Sequence, residues 1–254
     1  LDLLSPRGVM MHSAEITPLA RKLSAFAVLS DREQAALKHL HRHQRSFAAG
    51  RDLVHQGQSR RTAYILSAGW VSSYKIQPDG TRQIVDVQIP GDFLGLRSVL
   101  LRTSDHAFEP IVDIRAAEIL IDDLIEIFTK NPRLATAILW TASRDEAMVV
   151  EHLVGIGRRD ADSRMAHFLL ELGMRLALVQ MGDTSGYDCP LAQHHLADAL
   201  GLSTVHVNRT LRRLREDGLV TFRDGHVTFD NRERLAEGAG FDPAYLDQSG
   251  PLLK

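Results

Sequence analysis

Apolar positions in this chain change their spacing several times, and each change marks a different kind of element. Residues 17–26 and 30–41 carry the three- and four-residue spacing of helices, the second opened by Ser30 with Glu33 three positions on, a capping-box pair. From about residue 47 to 121 the period shortens to that of strands, broken by turns at Gly50, Gly57 and Gly69. Gln77-Pro78-Asp79-Gly80 is a hairpin turn, with the returning strand over 81–89. A short helix near 97–101 and a strand over 110–121 follow. Many short strands at regular spacing predict a jelly-roll barrel.

After a short helix over 122–129, Pro132 opens a long helix running to about residue 156. Along it Leu139, Ala142, Val149, Leu153 and Ile156 form one apolar stripe, interrupted by Glu146. Such a stripe serves either as a dimer seam or as a contact with the chain's own barrel. Gly155, Gly157 and residues 158–160 read as a hinge-like break before an amphipathic helix over 163–179 and a loop over 182–190.

The segment 191–220 carries the most chemistry. Leu196, Ala197 and Leu200 form the apolar face of a short helix, Gly201 supplies the turn, and Ser203 caps a second helix buried through Val207, Leu211 and Leu214. Its opposite face offers Thr204, Val205, His206, Asn208 and Arg209 as base readers, with Ser203, Arg212, Arg213, Arg215 and His194 placed for phosphates. For His206 and Asn208, ordinary exposed polar residues are an equal reading. Two short strands then flank an Asp224-Gly225 turn, the wing of a winged helix. The order helix, turn, helix, hairpin predicts binding to double-stranded DNA far more specifically than the helix pair alone.

Composition narrows the alternatives. With a net charge of −2 the whole chain is no polyelectrolyte, so DNA affinity must come from a local basic surface such as 209–215. One cysteine, Cys189, excludes an internal disulfide, a four-cysteine iron–sulfur cluster and a cysteine zinc site. The twelve histidines show no metal-ligand spacing on a shared element, so neither a metal nor a cofactor is expected. No apolar run is long enough for a bilayer span, no signal pattern opens the chain, and a cytoplasmic protein is expected. Met10 and Met11 read as more natural starts than Leu1.

The motifs GRDLVHQGQ, YILSAGWV, PDGTRQIVDVQIPGDFLG and SRMAHFLLEL, together with the helix-turn-helix, give the chain a resemblance to the CRP/FNR family of bacterial transcription regulators, covering residues 19 to about 234. The resemblance implies an α+β chain: a cyclic-nucleotide-binding-like jelly-roll sensor barrel over 17–131, a dimerisation helix over 132–157 and a winged helix-turn-helix domain over 158–237. It implies a homodimer on a pseudopalindromic promoter site, acting mainly as an activator that recruits RNA polymerase, and it turns the stripe into a dimer seam.

Departures from the family pattern matter as much. Leu96 stands where cyclic-AMP binders have a ribose-binding Glu, and 105–109 (DHAFE) replaces their phosphate-binding Arg-Ser pair. Carboxylates there repel a phosphate, and Arg97 and Arg102 do not reproduce the missing cradle. Phe93, Leu94, Gly95, Leu96 and Arg97 therefore form a candidate effector pocket of unknown ligand, with cyclic-AMP dependence not expected. Val205 replaces the family's base-reading Glu, while Arg209 matches its guanine-reading Arg. Some members use a thiol near DNA as an oxidation switch, so Cys189 is either that or an inert buried thiol. The remaining alternatives are a regulator responsive to a cyclic nucleotide or another small ligand, and, from another class, a cupin-like enzyme or sensor without DNA binding.

Overall fold

The computed structural model describes residues 16–59, 62–99, 101 and 103–246. Met10, Met11 and Arg102 lie outside them. Helices α1 (Pro18–Phe26) and α2 (Asp31–Leu40) precede strands β1 (Gln44–Phe47), β2 (Ala63–Ala68), β3 (Val71–Ile76), β4 (Arg82–Gln88), β5 (Phe93–Leu94), β6 (Ala107–Pro110) and β7 (Ile114–Ile119). Thr17 caps α1 through Ala20, and Ser30 and Glu33 form the predicted capping box on α2. The strand expected over 110–121 is divided: β6 ends at Pro110, and β7 begins at Ile114 in the other sheet.

The barrel consists of two antiparallel sheets, β1-β7-β2-β5 and β4-β3-β6. Alternation along β2 and β7 assigns each face a task. Tyr64, Leu66, Ile114 and Ala116 join Val54, Val71, Leu94 and Phe108 inside the barrel. Ala63, Ile65, Ala117 and Ile119 point the other way, into a second cluster with Leu19, Leu23, Leu37 and Leu134 from the helices. Between β2 and β3 the chain turns so tightly that a Cβ on Gly69, at φ +82°, would lie 2.6 Å from the Asp113 carbonyl oxygen.

Helix α3 (Ile121–Lys130) leads into α4 (Pro132–Arg158), which passes through Gly155 and Gly157 without breaking. The hinge is narrower than expected and sits at Arg159–Asp160, where Asp160 caps α5 (Ala161–Leu178) by accepting from the Ser163 amide at 2.8 Å. Arg164 ties the corner together, donating to the carbonyls of Ile156, Arg159 and Leu200. The loop expected over 182–190 contains a strand, β8 (Gly186–Asp188). It pairs with the wing strand β10 (His226–Thr228), which in turn pairs with β9 (Thr221–Arg223). Helices α6 (Gln193–Leu200), α7 (Thr204–Glu216) and α8 (Arg232–Ala239) complete the C-terminal part.

One core crosses from the barrel into this C-terminal part. Trp70, Tyr74, Ile84, Val87 and Ile89 of the β3–β4 region pack in a single cluster with Leu169, Leu176, Leu196, Leu200, Val207 and Val227. Among the described residues no helix is long and apolar enough to cross a membrane.

Candidate nucleic-acid interface

Helices α6 and α7 meet at Gly201, which takes the left-handed conformation (φ +62°) that ends α6. Ser203 then caps α7, its hydroxyl accepting from the His206 amide at 3.2 Å. Val207, Thr210 and Leu214 are buried, which fixes the outward face. On that face Thr204, Asn208 and Arg209 are exposed, His206 is half-buried, and Val205 is 73% exposed. An apolar side chain so exposed near a helix N-terminus has no role in its own core, and it suits contact with a base methyl. The mouth between the helices and the wing is a cleft of ≈ 570 Å³ lined by residues including His194, Thr204, Phe222 and Arg223.

The cations of α7 are not equivalent. Arg209 is exposed, while Arg215 is half-buried. Arg212 pairs with Glu216 one turn on at 2.7 Å, and Arg213 grips Asp162 of α5, with Nε at 2.9 Å from Oδ2. Exposed pairs of this kind contribute little and are easily exchanged for phosphate. His194 is exposed and lies against the ring of His195. Burial and the neighbouring His194 lower the pKa of His195 to about 4, so its ring is neutral and its Nδ1 accepts from the Ala192 amide at 3.0 Å.

Asn208 stands apart from its expected role. Its amide is closed on that of Gln193 from α6, each donating to the other at 2.6 Å, so in this structure it presents no free base-reading edge. Sequence reasoning missed Gln193, because nothing in the spacing of two residues on different helices announces the pairing.

The other candidate sites divide sharply. Along α4, Leu139 is 64% and Leu153 69% exposed, with Val149 exposed as well, while Ala142 and Ile156 are half-buried. Val150 and Val154 widen the same exposed band and were not foreseen. The proposed effector pocket does not converge. Phe93 and Leu96 pack toward the helical cluster, Leu94 faces the barrel interior, and Arg97 is exposed. Arg97 already has an anion, the Asp105 carboxylate at 3.2 Å, which His106 also contacts at 2.7 Å. The oxidation-switch reading of Cys189 loses its basis. The residue is buried, and desolvation pushes its thiol up to about 12, which disfavours the thiolate that such a switch uses.

Residues 44–131 match the model of the cyclic nucleotide-binding domain, and 163–237 match that of the Crp-like helix-turn-helix domain. The nitrogen fixation regulation protein FixK of Bradyrhizobium diazoefficiens is 30% identical over 189 residues, spanning 74% of this chain and 78% of its own length. The chain belongs to the CRP/FNR family. It is a transcription regulator with a DNA-binding helix-turn-helix, and the jelly-roll, long helix and winged domain are the family architecture. A probable transcriptional activator of Rhizobium leguminosarum is 30% identical over 78% of this chain and 83% of its own length. Among solved structures, FixK2 from Bradyrhizobium japonicum superposes with a TM-score of 0.68 at 25% identity, covering 76% of this chain and 95% of its own.

Proposed function

We propose that this CRP/FNR regulator acts as a homodimer on a two-fold pseudopalindromic promoter site, as an activator that contacts RNA polymerase. In this reading residues 17–131 form the sensor barrel, 132–157 the dimer helix and 158–237 the DNA-binding domain. Two copies joined along α4 present two α7 helices about one DNA turn apart, ~34 Å, to inverted half-sites in the major groove. Arg209 forks onto guanine O6 and N7, Val205 meets a thymine methyl and His206 contributes a further base contact. Ser203, Arg212, Arg213, Arg215 and His194 meet phosphates. The observation that carries this reading is the outer face of α7, with Val205 and Arg209 both exposed one turn apart.

The test is a titration of promoter fragments with the parent protein and Arg209→Ala. The variant loses preference at one G·C pair in each half-site, a cost of ~1–3 kcal/mol. Unchanged affinity and base preference would remove the docking model.

Cyclic AMP is not the controlling ligand in this proposal. A cyclic phosphate at Arg97 would have to displace Asp105 and would meet that carboxylate's charge. A ligand shifts a conformational equilibrium only through its differential affinity for the two states, and here Leu96 and residues 105–109 stand where the ribose- and phosphate-binding groups of cyclic-AMP binders would supply it. Calorimetry with cyclic AMP and cyclic GMP, beside DNA titrations with each, is expected to show neither binding nor a change in DNA affinity. Micromolar nucleotide binding coupled to a large gain in DNA affinity reverses this conclusion.

A further inference from the structure

We propose that Gln193, on α6 and outside the recognition helix, is a specificity-determining residue. By closing on Asn208 it occupies the amide edge with which Asn208 would read adenine, leaving base reading to Thr204, Val205, His206 and Arg209. The inference rests on the DNA-binding reading above and decides which residues of that surface face bases.

The geometry is that of a paired amide. Gln193 Nε2 donates to Asn208 Oδ1 at 2.6 Å, and Asn208 Nδ2 donates to Gln193 Oε1 at 2.6 Å. Asn208 Nδ2 also donates to the Thr204 carbonyl at 3.2 Å. A carbonyl only accepts, so this contact fixes which end of the Asn208 amide is nitrogen. A primary amide has two N–H donors, and both of those on Asn208 are committed. Reading adenine requires the oxygen and one N–H on the same edge, accepting from N6 and donating to N7. That edge is the one the pair uses, on Asn208 and on Gln193 alike. Adenine can reach that edge only by displacing Gln193, since both hydrogen bonds on it are made to Gln193.

The pair is held by the helices that carry it. Leu196, Leu200 and Val207 are buried at the α6–α7 contact, and the Leu202 amide donates back to Ala197 at 3.1 Å. The two amides are thus brought face to face by a packed helix pair, and both side chains remain exposed. Substituting either alters the recognition surface without opening a core.

The experiment selects bound sequences from a randomised DNA pool with the full-length parent, Gln193→Met, Asn208→Ala and the double variant. Gln193→Met keeps the side-chain length and removes the amide. The parent and Asn208→Ala are expected to select the same half-site. Gln193→Met gains a preference for adenine at one position of each half-site, on the order of tenfold. The double variant loses that gain, while non-specific affinity stays level throughout and reports intact folding. The proposal is overturned if Asn208→Ala abolishes an adenine preference that the parent has. It is equally overturned if Gln193→Met leaves the selected site unchanged. A parent that selects no sequence at all brings down the DNA-binding reading, and this inference with it.

Discussion

Glu171 and Arg175 lie one turn apart on α5, 3.7 Å between Oε1 and Nη1, at the seam between the barrel and the C-terminal part. Burial raises the Glu171 carboxyl to about 7, although Arg175 and a hydrogen bond from the Tyr245 hydroxyl at 2.7 Å both oppose the shift. The folded protein therefore keeps a proton that the unfolded chain releases near the ordinary value of 4.5. Because the folded state binds more protons between those two values, this group makes stability fall as pH rises through the window, and the loss levels off above it. Glu171→Gln abolishes that slope. Relative to the parent, its stability in urea melts should improve by about 1–2 kcal/mol from pH 5 to pH 7. A difference between the two proteins that stays constant with pH would show that Glu171 is not protonated in the fold. Nothing in the sequence around residue 171 predicts this carboxyl's surroundings. The Ser30–Glu33 capping box, by contrast, was legible at once because its partners are three residues apart. Asp92, which accepts from Lys22 at 2.7 Å and from Arg175 at 2.8 Å, draws on partners 70 and 83 positions away. The Gln193–Asn208 pair was hidden for the same reason.

Helix α4 shows what periodicity reads well and where it stops. Its start follows from Pro132, which fixes φ and needs no amide partner at the first helical position. Its exposed stripe follows from the spacing of Leu139, Val149 and Leu153. Its end does not, because glycines at 155 and 157 weaken a helix without breaking one whose neighbours hold it, as Arg164 does here through the Ile156 carbonyl. Strand β8 was invisible for a different reason. Three residues are too few to show alternation, and Gly186–Asp188 is extended only because the wing pairs with it. The stripe has a consequence for assembly. Leaving Leu153 69% exposed, with Val149, Val150 and Val154 beside it, keeps a row of apolar side chains in water. Pairing with a second α4, as proposed, would remove it, and Leu153→Glu would place a charge at that contact. Sedimentation should show the parent as a dimer at micromolar concentration and Leu153→Glu shifted toward monomer, with correspondingly weaker promoter binding. A monomeric parent that still binds the full pseudopalindrome would exclude the α4 dimer.

At the scale of the whole molecule, the barrel and the winged domain share their interior. Trp70, Tyr74, Ile84, Val87 and Ile89 lie in one cluster with the helix-turn-helix core, and polar ties cross the same boundary. Arg175 donates to the Val87 carbonyl at 2.9 Å and to Asp92 at 2.8 Å. Arg82 bridges Glu109 of β6 and Asp198 of α6 at 2.6 and 3.1 Å. Gln83 reaches the Ala199 carbonyl at 3.1 Å. Burial alone would raise the Asp92 carboxyl, and the cations Lys22 and Arg175 instead hold it well below the usual carboxylate range. Removing one partner from such a buried group costs about 3–5 kcal/mol, because the remaining charge is left under-compensated. The domains are therefore expected to unfold together, in one calorimetric transition whose heat matches its van't Hoff value. Arg175→Met should lower Tm by about 6 to 20 °C at fixed protein concentration. Two resolved transitions in the parent would show that the shared core does not couple the domains. A single transition fits a regulator whose recognition helices are packed against the barrel through a shared core. The same Arg175→Met variant separates stability from function. If packing sets the α7 arrangement, promoter affinity measured well below its Tm should fall even though every residue of the recognition surface is unchanged.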